Sequence, residues 1–156
     1  ELGVVDGMIL PNLKMNVQKD ACPFLDDDDR CSIHSSRPGL CRLFPLGRYY
    51  EENGFKYFIQ VHECSRKDRG KVKIKKWLGI PNLKAYESYI MEWHDFLNVC
   101  ENELETLNDD NKRILTLYVL RRFYETPYMS QDDIGFYEEF RARMTEVRKK
   151  LGMAPQ

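Results

Sequence analysis

The chain has 156 residues, 42% of them hydrophobic and 31% charged, and its formal net charge is −1. A chain of this length forms one domain or at most two and buries roughly 68–70% of its unfolded surface. It therefore needs neither disulfides nor a metal to form a core, and a group of cysteines requires its own explanation. No apolar run approaches the ~20 residues that span a bilayer. The near-zero charge makes nucleic acid an unlikely partner for the chain as a whole.

The sequence opens at Glu1 rather than at a methionine. Its first residues lack the basic region and the sustained apolar run of a signal peptide. We therefore expect the chain to come from the interior of a longer protein. In the absence of a secretory signal we expect a cytoplasmic protein without a membrane segment.

The first half of the chain is rich in proline and glycine and has only short apolar runs, a pattern typical of short strands and ordered loops. Gly54 follows Glu-Glu-Asn and predicts a hairpin turn between 48–50 and 56–61. Two further strands are predicted, at 4–10 and at 71–75, where Val72 and Ile74 alternate with lysines.

The second half is predicted to be helical. Apolar residues recur at steps of three and four along one long helix: Leu83, Tyr86, Ile90, Trp93, Leu97, Cys100, Leu104 and Leu107. A second helix is expected at about 109–125, before Pro127. Ser130 and Asp133 form a capping-box pattern that opens a third helix, and Gly152 ends it.

These patterns predict an α+β fold. A small, cysteine-rich module of strands and loops covers residues 1–80, and a mainly helical region of about three helices covers 81–156 and packs on it.

Four of the five cysteines lie in the first half, at Cys22, Cys31, Cys41 and Cys64. Their spacing differs from the tight pairs of a zinc finger. Three of the four stand in turn-prone surroundings, whereas a cysteine that only fills a core more often lies on a periodic apolar face. Cys100 lies on such a face, so we expect it to be buried packing. Disulfide pairing and separate buried thiols are alternative interpretations of the first four.

One stretch of the sequence resembles the YkgJ-type cysteine-cluster family, which is described as zinc- or iron-chelating. The family pattern is Cys-x-Phe-Leu, Cys-x-Ile, Arg-Pro-x-x-Cys-Arg-x-Phe/Tyr-Pro, a later Cys and a Trp-Leu pair. The matching positions are Cys22, Phe24, Leu25, Cys31, Ile33, Arg37, Pro38, Cys41, Arg42, Phe44, Pro45, Cys64, Trp77 and Leu78. Family members also carry an upstream Cys-x-x-Cys-x-x-Cys-Cys cluster, which this chain lacks.

The resemblance implies a metal-binding protein whose ligands are Cys22, Cys31, Cys41 and Cys64. Four thiolates suit zinc, and they also suit iron or an iron–sulfur cluster. A related cysteine pattern occurs in flagellin lysine methylases, so an iron–sulfur enzyme is the main alternative. A module that exchanges thiols and disulfides is another. An unidentified protein partner is also compatible with the sequence.

Other side chains near the cysteines allow two interpretations each. Arg37 and Arg42 flank Cys41 and either favour its thiolate or bind carboxylates and loop carbonyls. His34 and His62 are close in sequence to a cysteine and are substitute metal ligands or backbone partners. His94 lies off the apolar stripe of the long helix, which predicts a polar surface position.

No catalytic motif is present in the sequence: it has no nucleophile elbow, no phosphate-binding glycine loop and no His-Glu-x-x-His. We therefore expect a protein that binds a metal rather than an enzyme. The segment 66–76 has seven basic residues in eleven. Such a segment suits RNA or an acidic partner, but the alternation at Val72 and Ile74 favours a strand with one solvated face.

Overall fold

The computed structural model describes residues 1–18, 20–62 and 70–153. Four strands, five α-helices and two short helical turns are present in this part of the chain. The strands are β1 (Leu2–Val5), β2 (Met8–Pro11), β3 (Leu46–Glu51) and β4 (Gly54–Ile59), and the α-helices are α1 (Gly39–Leu43), α2 (Ile74–Leu78), α3 (Leu83–Thr106), α4 (Asp109–Leu120) and α5 (Asp133–Lys150). A 3-10 turn covers His34–Ser36, and a π-helical turn, Arg121–Glu125, continues α4. The predicted α+β class, with hairpins followed by a mainly helical half, is confirmed.

The chain forms two compact units. The first, which we call the helical unit, contains Glu1–Lys14 and Glu92–Gln156, and the second contains Met15–Met91. Helix α3 contributes residues to both. The boundary near residue 80 stays a prediction.

The first unit begins with an antiparallel hairpin rather than with the single strand predicted at 4–10. Val5 pairs with Met8, and the two residues between them, Asp6 and Gly7, have φ values of 48° and 79°. Positive φ at both central positions is what a two-residue hairpin turn requires, and Asp-Gly is a preferred pair for it. Met8 is buried, and β2 packs against α4.

Helix α3 confirms the predicted apolar stripe. Tyr86, Cys100 and Leu104 are buried along it. Phe96 was not on the predicted stripe and is nevertheless fully buried, because its ring packs against Phe123 with ring centroids 5.7 Å apart. The helix begins at Leu83, after Pro81, and the side chain of Asn82 accepts a hydrogen bond from the Ala85 N–H at 3.1 Å.

The third predicted helix exists, but its cap differs from the prediction. Asp132, not Ser130, is the N-cap residue of α5, and its carboxylate accepts a hydrogen bond from the Gly135 N–H at 2.7 Å. The N–H groups of Met129 and Ser130 instead donate to the Glu139 carboxylate at 2.9 and 3.3 Å. Gly152 has φ 69° and follows the helix end as predicted.

A buried arginine joins α5 to the end of the preceding helix. The side chain of Arg143 is 2% exposed and donates to the carbonyl oxygens of Arg122 at 2.8 Å and Thr126 at 2.7 Å. It also donates to the Pro127 carbonyl and to the Glu139 carboxylate. The guanidinium therefore satisfies carbonyls that the π-helical turn and the following loop leave without helical partners.

The second unit contains the β3–β4 hairpin, α1 and α2. The hairpin matches the prediction, with Glu51 opposite Gly54 and Arg48 opposite Tyr57. The strand predicted at 71–75 is wrong: residues 70–73 have no regular structure, and α2 begins at Ile74.

In the described part of the chain, no helix is both long enough and apolar enough to cross a bilayer.

Candidate metal centre

Cys22 and Cys31 lie at the two ends of one short loop. The Leu25 N–H donates to the Cys22 carbonyl at 3.3 Å, and Leu25 forms an isolated antiparallel bridge with Cys31. Next to this bridge, the Ser32 N–H donates to the Phe24 carbonyl at 2.8 Å. Backbone hydrogen bonds therefore hold the two ends of the loop together, with one cysteine on each end.

The acidic run at 26–29 closes this loop as a solvated turn, as the sequence predicts. The Asp26 carboxylate accepts hydrogen bonds from the N–H groups of Asp28 and Arg30 at 3.0 and 2.8 Å. Asp29 has φ 57° and supplies the left-handed residue of the turn. All four aspartates are exposed. Short acidic side chains that bond their own backbone are typical of such turns.

Cys41 lies on α1, which is connected to the segment that follows Cys31. The Arg42 guanidinium donates from Nε to the Arg37 carbonyl at 3.1 Å and from Nη2 to the Ser35 carbonyl at 3.2 Å. Of the two interpretations of Arg42, the one in which it satisfies loop carbonyls is confirmed. Arg42 therefore ties the helix of Cys41 to the turn that begins three residues after Cys31.

Helix α1 is also positioned by the start of α3. A Cβ atom at Gly39 would lie 2.8 Å from the Tyr86 hydroxyl, so only glycine leaves room for that oxygen. The same hydroxyl accepts a hydrogen bond from Arg48 Nη2 at 2.7 Å. Tyr86 thus connects the first residue of α1 to strand β3. The sequence indicated that Tyr86 is buried but gave no sign of this polar role.

A second polar contact holds the hairpin against α3. The Tyr57 hydroxyl donates to the Glu87 carboxylate at 3.1 Å. Burial, together with the negative charge of Glu87, raises the pKa of Tyr57 above its ordinary value. Tyr57 therefore stays protonated at neutral pH and acts as a hydrogen-bond donor.

The Trp-Leu pair lies against the residues that follow Cys41. The Trp77 indole Nε1 donates to the Phe44 carbonyl at 3.2 Å. Leu78 is fully buried, and Gly79 ends α2 with φ 63°. The motif blocks at 41–45 and 77–78 are therefore in direct contact.

The three histidines have different surroundings. His34 is exposed at the start of the 3-10 turn, and its backbone N–H donates to the Cys31 carbonyl at 3.2 Å. His62 is exposed and borders residues outside the described part. His94 Nδ1 lies 3.4 Å from an Asp95 carboxylate oxygen and 3.3 Å from Asn98 Nδ2.

The thiols have the right chemistry for a soft metal, but the described residues do not assemble them. Cys22, Cys31 and Cys41 are free and partly exposed. Over 1–18, 20–62 and 70–153, no three His, Cys, Asp or Glu side chains converge to hold a metal ion. Cys64, the fourth predicted ligand, lies outside the described residues. The four-cysteine ligand set therefore stays a prediction.

Cys100 differs from the other described cysteines. It is fully buried, as predicted, and its burial raises the pKa of its thiol to about 12. Metal ligation and nucleophilic chemistry both need the thiolate. Cys100 is therefore an inert core residue.

The second unit is a small module that contains three cysteines with free thiols, Cys22, Cys31 and Cys41. Residues 6–73 match the model of the CxxCxxCC family, which is described as "Putative zinc- or iron-chelating domain". This segment of the chain is therefore similar to that family, and it contains the four predicted ligands. Neither a curated protein nor a solved structure matches the chain significantly.

Proposed function

We propose that this protein chelates one metal ion, zinc in the first place, through the thiolates of Cys22, Cys31, Cys41 and Cys64. The observation that carries the proposal is the match to a zinc- or iron-chelating domain over the segment in which these four cysteines lie. Thiolates are the preferred ligands of zinc and of iron–sulfur clusters.

The connections between the elements support this ligand set. Cys22 and Cys31 share one loop, and Arg42 bonds the helix of Cys41 to the turn that follows Cys31. Three of the four proposed ligands therefore lie on elements that hydrogen bonds connect directly. Free, partly exposed thiols also suit a reducing compartment such as the cytoplasm.

The proposed ligand set also fixes the kind of centre. When bound, zinc with four thiolates forms a closed centre without an open position for a substrate. The function that follows is chelation, with the metal stabilising the loops around the cysteines.

The test is the metal content of the chain purified without oxygen. We expect stoichiometric zinc by elemental analysis and a colourless protein, whereas visible absorbance with bound iron would indicate an iron–sulfur cluster. Cys41→Ser should lose most of the metal, and Cys100→Ala is the matched control and should retain it. Circular dichroism establishes that both variants are folded. Full occupancy in folded Cys41→Ser would contradict the proposed ligand set.

A further inference from the structure

The segment that leads into α2 and the first four residues of this helix are exposed. Every residue from 70 to 77 is exposed. The sequence predicted that Val72 and Ile74 would face a core, yet Val72 is 49% and Ile74 36% exposed. The segment is therefore not a strand with one solvated face, and its high content of lysine requires another explanation.

This segment is strongly cationic. Lys71, Lys73, Lys75 and Lys76 lie within six residues, and no acidic residue occurs between 70 and 86. None of the four lysines takes part in an ion pair of the described residues. In a chain with a net charge of −1, this is a local concentration of positive charge that the described carboxylates leave uncompensated.

One aromatic residue, Trp77, directly follows Lys76, and a second, Phe44, is hydrogen-bonded to it through its carbonyl. Trp77 is 45% exposed and Phe44 is 51% exposed. The hydrogen bond from the Trp77 indole to the Phe44 carbonyl fixes the two residues next to each other. Three of the lysines line a shallow hollow of about 440 Å³, whose lining is Lys73, Lys75, Lys76, Gly79, Ile80 and Pro81.

We propose that this lysine–aromatic surface, formed by Phe44, Lys71, Lys73, Lys75, Lys76 and Trp77, binds single-stranded nucleic acid. Lysines in a row attract a phosphodiester backbone, and exposed aromatic rings stack with unpaired bases. An acidic peptide would use the lysines but has no bases to stack on the rings. An anionic membrane would suit a long amphipathic helix, whereas α2 has five residues.

The surface contains none of the cysteines, and its test measures oligonucleotide binding, whereas the test of the proposed metal centre measures metal content. Because the chain as a whole has a net charge near zero, we expect the nucleic acid to bind at this surface only. The affinity should be moderate and should depend strongly on the salt concentration. Failure of one proposal would therefore leave the other in place.

The first test measures binding of labelled oligouridylate and oligothymidylate by fluorescence anisotropy at several salt concentrations. Each lost phosphate contact lowers the log–log salt slope for a single strand by about 0.7. Lys73→Gln with Lys75→Gln should therefore lower the slope by about 1.4. Lys14→Gln with Lys149→Gln removes the same charge from two exposed positions elsewhere and should leave the slope unchanged. Equal effects of the two pairs would overturn the proposal.

The second test examines stacking. Trp77→Leu should weaken binding at least about fivefold, while Trp77→Phe retains a ring and most of the affinity. The oligonucleotide should quench tryptophan emission, and Trp77→Phe should abolish the quenching because the other tryptophan, Trp93, packs its ring against Phe123. Heparin and phosphatidylserine vesicles are the comparison ligands. Tighter binding to either than to the oligonucleotides, no binding to any of them, or unchanged oligonucleotide binding by Trp77→Leu would overturn the proposal.

Discussion

The indole nitrogen of Trp77 donates a hydrogen bond to the carbonyl oxygen of Phe44 at 3.2 Å, across 33 positions of the chain. These two residues belong to separate blocks of the family pattern, and the residues between them include the β3–β4 hairpin. The contact gives a physical reason for a Trp-Leu pair so far from the cysteines: it holds the chain segment that follows Cys41.

Trp77→Phe should lower the free energy of unfolding by about 0.5–1.5 kcal/mol, the usual net contribution of one hydrogen bond. A smaller aromatic ring remains, so the loss combines the indole N–H with a small part of the ring's packing. Urea denaturation measures the change. Tyr49→Phe, at an exposed position of the hairpin, is the control and should change stability by less. Equal stability of Trp77→Phe and the unsubstituted chain would mean that the bond contributes nothing.

Arg42→Lys should weaken metal retention about 10–100-fold if the proposed metal centre is correct, because lysine cannot bond two carbonyls with one planar group. Competition with a chelator measures the retention. Arg30→Lys keeps the same charge at an exposed position in the neighbouring turn and should behave like the unsubstituted chain. Retention that is equal in both variants would show that the turn does not need Arg42.

Arg143→Met should destabilise the helical unit by about 3–5 kcal/mol, since it removes a buried guanidinium and leaves three backbone carbonyls and the Glu139 carboxylate without their partner. Arg141→Met is the matched control: Arg141 also pairs with a carboxylate, Glu92, but its side chain is 49% exposed, so we expect a loss below about 1 kcal/mol. Thermal unfolding of both variants measures the difference. Comparable losses would refute the structural role of Arg143.

The stability of the helical unit should fall at acidic pH through Glu139. Hydrogen bonds from the Arg143 side chain and from the Met129 and Ser130 N–H groups lower the pKa of Glu139. A carboxyl group whose pKa is lower in the folded state stabilises fully above its unfolded pKa, about 4.3. That stabilisation is lost as the pH falls through the folded pKa. Glu139→Gln should flatten this part of the pH–stability curve, and an unchanged curve would contradict the assignment.

Cys100 should resist thiol reagents at neutral pH while the chain is folded. Its pKa of about 12 and its complete burial leave almost no accessible thiolate. Mass spectrometry after alkylation should find label on Cys22, Cys31 and Cys41 first, and on Cys100 only after denaturant is added. Rapid labelling of Cys100 in the native chain would show that the helical core opens.

The helices were predictable because their apolar residues repeat at helical spacing over many turns, from Leu83 to Leu107 and along α5. The Asp6–Gly7 turn was a local signal that the apolar run from Val4 to Leu10 concealed. The strand predicted at Val72 and Ile74 was wrong. Alternating apolar and polar residues favour a strand only when another strand is there to pair with. Arg143 could not be predicted, since its partners are backbone carbonyls at the end of another helix.

For the candidate site, the sequence distinguished the buried core cysteine from the cysteines in loops and turns. Cys100 was correctly separated from the rest by its place on the apolar stripe. The loop shared by Cys22 and Cys31 and the link through Arg42 depend on hydrogen bonds to backbone carbonyls, which residue types alone do not reveal. The ligand role of Cys64 stays a prediction.

The hairpin at the start of the chain has a practical consequence for anyone who divides this protein into fragments. Met8 is buried, and a Cβ atom at Gly7 would lie 3.1 Å from Leu104, so these first residues belong to the core of the helical unit. A truncation that ends at residue 80 would remove the residues against which this hairpin packs and would expose an apolar surface that is prone to aggregation. Expression trials should therefore keep residues 1–14 and 92–153 in the same polypeptide.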